Sequence, residues 1–258
     1  MAVKKEKYKK AIDKKSNYKA WYTFLYGLLF IPGKILLPGR ALGTENLPKE
    51  GGYILAFNHR SWKEIPMTFY AVPGYRHFVA KEEHYNHAFA RFIFPKMGAI
   101  AVDREKLDLS TIRKIVKVLK SGEVVGIFPE GTRNRDEEAD MLQFKNGTAL
   151  FAMHARVPVV PVYIYKKPRF FRRNYLYIGK PLDVSKYCGG PINAEKISLC
   201  GGDIRDVMEE TKAYLDEVMS RKAYKAEFKA EKKRKKAAAK AAKLALKEAA
   251  SAKADNES

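Results

Sequence analysis

The sequence has few cysteines, few acidic residues and no long uncharged apolar run, and each scarcity excludes a class of protein. Only two of the 258 residues are cysteine, which excludes a scaffold built on disulfides and favours a reducing compartment. The 29 Asp and Glu residues are outnumbered by 50 Lys and Arg, so the formal net charge is +21. A charge of this size predicts an anionic partner: a nucleic acid, a membrane surface or a phosphorylated substrate.

The charge is concentrated at the two ends of the chain. Residues 1–20 carry a net charge of +6 and residues 221–258 carry +8, which leaves +7 for the 200 residues between them. The Lys- and Ala-rich end favours a basic helix, which we interpret either as membrane-binding or as a solubilising extension. We therefore divide the chain into a basic N-terminal segment (1–42), a central domain (43–220) and a C-terminal tail (221–258).

An aromatic-rich stretch follows the first basic residues. The uncharged run over 20–33 has 14 residues, fewer than the roughly 20 that a membrane-spanning helix needs. Trp21, Tyr22 and Tyr26 suit the headgroup layer of a bilayer, so the segment predicts a helix that lies in the membrane interface. The alternative is a buried core helix with loose ends.

Short apolar runs alternate with segments of helical spacing through the central domain. This alternation is typical of an α/β fold, a single layered domain with a mostly parallel sheet flanked by helices. The run over 157–162 contains two prolines, which predicts a sheet edge or a strand start. Apolar residues between 204 and 218 predict one further helix that packs on the domain. The predicted strands are 53–57, 77–80, 99–102, 124–128, 159–165 and 176–179, and the predicted helices are 66–72, 85–95, 107–120 and 144–155.

A histidine directly follows the first of these strands, in the segment NHRSWKEIP over 58–66. Sites of α/β folds lie at the carboxyl ends of their strands, which makes His59 a candidate general base. Glu64, five residues later, can fold back onto the imidazole and fix its tautomer. The alternative is structural, because Ser61 and Glu64 also match the pattern of a helix capping box. Pro66 favours a helix that starts after Glu64.

Two further strand ends carry basic residues. The segment FPEGTRNR, over 128–135, predicts a tight turn after a strand. Gly131 permits a close approach of the backbone, and the planar guanidinium of Arg133 suits a phosphate. The segment GAIAVDR, over 98–104, places Arg104 at another strand end. An ordinary surface turn with solvated arginines is the alternative for FPEGTRNR.

Taken in order, these segments resemble the motifs of the glycerolipid acyltransferases, the lysophosphatidic acid acyltransferase (PlsC-like) family, over residues 40–185. The resemblance implies that His59 is the catalytic base and that Glu64 orients it, where the family usually has Asp. It also implies that basic residues bind the phosphate of the acceptor and that the turn after the fourth strand shapes its site. The implied substrate-binding residues are Lys81, Arg104, Glu130, Gly131, Thr132 and Arg133.

The activity that the resemblance implies is transfer of an acyl group to the free hydroxyl of 1-acyl-glycerol 3-phosphate, which forms phosphatidic acid. The donor is an acyl thioester of coenzyme A or of acyl carrier protein, and no metal or bound cofactor is expected. One alternative is a different acceptor, either glycerol 3-phosphate or another lysophospholipid. The other is a lipid-binding relative that has lost catalysis, which the change from the family's usual Asp to Glu64 suggests.

The expected partners are a membrane phospholipid surface, on the cytoplasmic face, and an acyl carrier protein. Nucleic acid is not expected, because no fold signature of a nucleic-acid-binding domain accompanies the basic run over 232–236.

Overall fold

The structure is a computed structural model that describes residues 18–103, 108–136 and 139–222. The chain divides into two compact units, residues 1–213 and 214–258. The described part of the first unit contains a seven-stranded sheet in the order β1-β7-β6-β2-β5-β3-β4. The strands are β1 (Gly39–Leu42), β2 (Tyr53–Phe57), β3 (His77–Lys81), β4 (Ile100–Val102), β5 (Val124–Ile127), β6 (Val159–Ile164) and β7 (Asn174–Ile178).

Most of the strands run in the same direction. β2 is parallel to both β5 and β6, and β3 is parallel to both β4 and β5. β7 is antiparallel to β6 and parallel to β1. The predicted α/β fold with one mostly parallel sheet flanked by helices is therefore confirmed. Every residue of β2 and β6 is buried, as expected for central strands of a sheet that is covered on both faces.

Helices flank the sheet in two groups: α1 contacts α2 and α3, whereas α4 contacts α5. The start of α4 is fixed by Asp108, whose side chain accepts a hydrogen bond of 2.7 Å from the N–H of Thr111 and so caps the helix. Residues 194–222 are also helical, and Ile204 and Met208 are buried on the predicted apolar face. The bounds are α1 (Tyr18–Leu36), α2 (Glu64–Ala71), α3 (Ala88–Lys96), α4 (Leu109–Lys120) and α5 (Gly147–Ala155).

Helix α1 presents an apolar stripe to solvent. The residues of this α1 stripe recur every three or four positions, which places them on one side of the helix, and they are 41–68% exposed. That exposure contradicts the alternative of a buried core helix. Among the described residues, none of the helices combines the length and the hydropathy that crossing a bilayer requires. The α1 stripe consists of Trp21, Phe24, Leu28, Ile31 and Ile35.

The differences between the predicted and observed elements are local. β1 has no counterpart among the predicted strands. α2 begins at Glu64 and contains Pro66, so it starts two residues earlier than the prediction. For the proline-containing run over 157–162, the sheet edge is wrong, because β6 lies between β7 and β2. The alternative of a strand start is confirmed, because β6 begins at Val159, directly after Pro158. The basic residues 1–17 and the tail from residue 223 onward lie outside the described residues.

Candidate active site

His59 lies just beyond the carboxyl end of β2, where the chain leaves the sheet. The preceding residue, Asn58, is fully buried and fixes this end of the strand. Its Nδ2 donates to the carbonyl of Ile164 at 3.1 Å, and its Oδ1 accepts from the N–H of Ile164 at 2.7 Å. Since Ile164 is the last residue of β6, Asn58 ties together the carboxyl ends of two central parallel strands. The site therefore starts from a rigid edge of the sheet.

The predicted pairing of His59 with Glu64 is present. Nδ1 of His59 lies 2.7 Å from Oε2 of Glu64, and the imidazole stacks on the ring of Phe128 with 4.0 Å between the ring centres. A carboxylate on Nδ1 leaves Nε2 as the nitrogen that can accept a proton from a substrate. The pairing is possible because Glu64 opens α2, so its side chain reaches back over the turn 60–63.

The carboxyl of Glu64 is fully buried, and burial raises its pKa above the ordinary glutamate value. The hydrogen bonds from His59 and from the N–H of Arg60 oppose that rise, the latter at 2.9 and 3.0 Å from the two carboxyl oxygens. The hydroxyl of Ser61 accepts from the N–H of Lys63 at 3.3 Å. Glu64 thus both faces the imidazole and satisfies a main-chain donor of the turn before α2.

The loop 128–135 clamps the main chain of His59 on both sides. The N–H of His59 donates to Oε1 of Glu130 at 2.7 Å, and its carbonyl accepts from the N–H of Asn134 at 2.6 Å. The other oxygen of Glu130 accepts from the N–H of Leu142 at 2.9 Å. Glu130 is 2% exposed, and burial raises the pKa of its carboxyl. Glu130 therefore lies behind His59, where it holds main-chain groups.

A cavity of about 420 Å³ brings His59 together with three of the predicted substrate-binding residues, Lys81, Thr132 and Arg133. Arg135 also lines this cavity. Nζ of Lys81 lies 2.7 Å from Oε1 of Glu83, so one carboxylate faces this ammonium. The cavity is also lined by His84 and by Glu83. Its two guanidinium groups and one ammonium outnumber this one carboxylate, so the cavity is positive and suits a phosphate-bearing ligand.

Another predicted residue, Gly131, does not line this cavity. Gly131 adopts a φ of +69°, a left-handed conformation that favours glycine, and it borders a smaller cavity of about 140 Å³. A side chain at this position would meet the aliphatic chain of Lys145, 2.8 Å from the added carbon, so the turn depends on glycine. Arg104 lies outside the described residues, and its predicted role stays a prediction.

The sequence-based selection missed Arg135 and Asn134. In the segment after Thr132, Arg133 and Arg135 line the cavity while Asn134 between them is fully buried. Alternation of this kind places residues two apart on the same side of an extended chain. The two-residue spacing from Arg133 could therefore have predicted that Arg135 lines the same cavity.

The comparisons with known proteins agree with this architecture. The Acyltransferase family model matches residues 40–165. A 1-acyl-sn-glycerol-3-phosphate acyltransferase of Bacillus subtilis is 29% identical over 186 residues, which cover 69% of this chain and 90% of that protein. A Borreliella burgdorferi protein of the same name is 30% identical over 137 residues, covering 52% of this chain and 54% of its own length.

Among solved structures, the 1-acyl-sn-glycerophosphate acyltransferase of Thermotoga maritima shares the fold. The match has a TM-score of 0.57 and 24% sequence identity, and it covers 81% of this chain and 86% of that chain. The family resemblance that the ordered segments carried is confirmed by these findings.

Proposed function

Since residues 40–165 match the Acyltransferase family model and the chain is similar to a 1-acyl-sn-glycerol-3-phosphate acyltransferase over 90% of that protein, we propose that it transfers an acyl group from a thioester to the free hydroxyl of 1-acyl-glycerol 3-phosphate. The product is phosphatidic acid, and the donor is an acyl thioester of coenzyme A or acyl carrier protein. The reaction calls for no metal or bound cofactor. The observation that carries the proposal is one cavity that His59 and cationic side chains line together, with His59 bonded from behind to the buried Glu64.

In the proposed reaction His59 acts as the general base. Nε2 takes the proton of the acceptor hydroxyl while that oxygen attacks the thioester carbonyl, and the imidazolium is stabilised by the carboxylate of Glu64. Collapse of the tetrahedral intermediate breaks the C–S bond, and the leaving thiolate takes the proton back from His59. General base catalysis of this kind typically contributes about 10²–10⁴-fold.

The cationic residues of the cavity give the proposed acceptor its phosphate site. Arg133 and Arg135 present planar guanidinium groups that pair with phosphate oxygens, and Lys81 adds a point charge. Thr132 lies among them on the cavity wall. This arrangement favours an acceptor whose phosphate and hydroxyl belong to one small molecule, which supports a glycerol phosphate derivative.

Membrane association is part of the proposal, because the acceptor and the product are both bilayer lipids. The exposed α1 stripe supports a helix that lies in the interface with its apolar side in the lipid. The positive ends of the chain add electrostatic attraction to anionic lipid. We place the protein on the cytoplasmic face of a membrane.

The direct test incubates the purified protein with an acyl thioester and a panel of acceptors: 1-acyl-glycerol 3-phosphate, other lysophospholipids and glycerol 3-phosphate. Products are resolved by mass. We expect phosphatidic acid from 1-acyl-glycerol 3-phosphate and loss of turnover in His59→Ala. His154→Ala is the matched control, because His154 is exposed on α5 and does not line the cavity.

Two outcomes contradict the proposal. The absence of turnover in the parent protein with every acceptor excludes the enzyme and leaves the lipid-binding alternative. Equal turnover in His59→Ala excludes the proposed base. Vesicle binding is measured in parallel, so that a loss of turnover is not confused with a loss of membrane contact.

A further inference from the structure

A strongly basic loop with exposed aromatic rings joins β6 to β7. Residues 165–173 contain five Lys and Arg residues and no acidic residue. Phe170 is 37% exposed and Phe171 is 71% exposed. Together with Trp62, which is 57% exposed, this loop forms what we call the β6–β7 surface.

The loop is held in a fixed conformation by Asn174, which is 8% exposed. The side chain of Asn174 accepts from the N–H of Arg169 at 2.8 Å and donates to the carbonyls of Arg169 and Arg172 at 3.1 and 2.9 Å. The exposed rings and cations therefore stand on an ordered loop, so that contacting a partner does not first require the loop to be ordered.

Phe171 adopts a φ of +55°, a left-handed conformation that is strained for a bulky residue. Its ring is nevertheless mostly in solvent. A strained, exposed aromatic residue is not explained by packing within the chain, and strain of this kind concentrates at sites of function.

The β6–β7 surface lies beside both the candidate active site and α1. Trp62, three residues after His59, packs its ring 6.3 Å from the ring of Phe170. The N–H of Phe171 donates to the carbonyl of Leu36 at 2.8 Å, and Leu36 is the last residue of α1. The surface therefore lies between the last residue of α1 and the carboxyl ends of the strands, where the cavity is.

We propose that the β6–β7 surface is a second membrane contact, which binds anionic lipid headgroups independently of the α1 stripe. Aromatic rings in the headgroup layer and basic side chains near anionic lipid match its composition. An acidic protein would account for the cations but not for the exposed rings beside α1. The inference does not rest on the proposed reaction, because lipid binding is measured without turnover.

The test measures partitioning of the full chain into vesicles of phosphatidylcholine with and without phosphatidylglycerol. Each cation close to an anionic surface strengthens partitioning about fivefold, so the double variant Arg172→Gln/Arg173→Gln should bind anionic vesicles about 25-fold less strongly. The matched control is Lys117→Gln/Lys120→Gln. It removes the same charge from the end of α4, at the opposite edge of the sheet, and should change binding less than about threefold.

Phe171→Gly separates a membrane role from a structural one. Glycine adopts a positive φ without strain, so the variant should melt at the same or a higher temperature. Loss of the exposed ring should weaken binding by about tenfold. A lower melting temperature with unchanged binding overturns the proposal, because Phe171 then serves the fold.

The chain has only two tryptophans, Trp21 and Trp62. In a Trp21→Phe variant, tryptophan fluorescence therefore comes from Trp62 alone and reports the environment of that ring. Its emission should shift to the blue on anionic vesicles and should be quenched by brominated lipid. Unchanged emission from the bound protein overturns the proposal. The proposal is also overturned if the Arg172→Gln/Arg173→Gln and Phe171→Gly variants bind anionic vesicles like the parent. If these variants instead raise only the KM for an acyl carrier protein thioester, the surface recognises an acidic protein.

Turnover of a short-chain acceptor that is fully dissolved keeps the two proposals apart. The β6–β7 variants should turn over this acceptor like the parent, because none of them lines the cavity. If the parent itself shows no turnover, the proposed function fails while the comparison of vesicle binding still decides the membrane contact.

Discussion

Replacing Glu64 by Gln tests whether this carboxylate orients the base. The carboxyl lies 2.7 Å from Nδ1 of His59 and within 3.0 Å of the N–H of Arg60, so both of its oxygens face donors. A glutamine can offer an oxygen to only one side. If its amide nitrogen faces the imidazole, Nδ1 must accept, the proton moves to Nε2, and the base is lost.

The size of the loss follows from these contacts. Loss of the base removes the whole contribution of general base catalysis, about 10²–10⁴-fold in kcat, or roughly 3–5 kcal/mol of barrier. Glu64 does not line the cavity, so KM for the acceptor should stay close to that of the parent. In Glu64→Asp the carboxylate withdraws by about one C–C bond length, ~1.5 Å. A smaller but measurable loss is expected there.

The assay is release of free thiol from the thioester at saturating acceptor. Glu123→Gln is the matched control, because Glu123 pairs with Nε2 of His77 at 2.5 Å at the amino end of the strands, away from the cavity. It should lower the free energy of unfolding and leave kcat unchanged. A Glu64→Gln variant that turns over within threefold of the parent would refute the orienting role.

Further predictions concern the loop behind the base and the buried thiol. Arg133→Gln should raise the acceptor KM about 10–100-fold, as loss of a charged hydrogen bond does, with Arg113→Gln on α4 as control; an unchanged KM contradicts the phosphate site. Glu130→Gln should lower the free energy of unfolding in urea by about 1–3 kcal/mol, because an amide oxygen cannot accept from both main-chain donors. Burial raises the pKa of Glu130 in the fold, so the folded state holds more protons than the unfolded state just above the ordinary glutamate pKa. The parent should therefore lose stability as pH rises through this window, and the variant should lose less. Burial also raises the pKa of Cys200 to about 12, so iodoacetamide at pH 8 should label this thiol no faster than the chain unfolds; fast labelling contradicts its burial.

The strands that the sequence predicts well are those that carry an uninterrupted apolar run. β2 coincides with its predicted range, because all five of its residues are buried between covered faces. β1 is missed for the opposite reason. Its four residues include a glycine and an exposed Arg40, and the strand is formed by pairing with β7, 135 residues later in the chain at Gly39 and Asn174. Local pattern carries no information about that partner.

The candidate site divides in the same way. His59, Glu64 and Arg133 are predictable, because each follows a strand end and its chemistry is visible in the sequence. The position of Glu130 behind His59 is not predictable, since it depends on the return of the loop to the main chain of His59 and Leu142. Pro66 misled the prediction of α2, because proline is accepted in the first turn of a helix, where no hydrogen bond is lost.

The two-sided clamp on His59 has a consequence for which acceptors fit. The peptide groups of His59 are bonded to the same loop that bears Arg133, so the proposed proton acceptor and the proposed phosphate-binding residue are held at a fixed separation. The distance between His59 and Arg133 then selects acceptors by the number of bonds between their anionic group and their nucleophilic oxygen. A molecule with a longer spacer, even one of matching charge, would dock with its oxygen out of register.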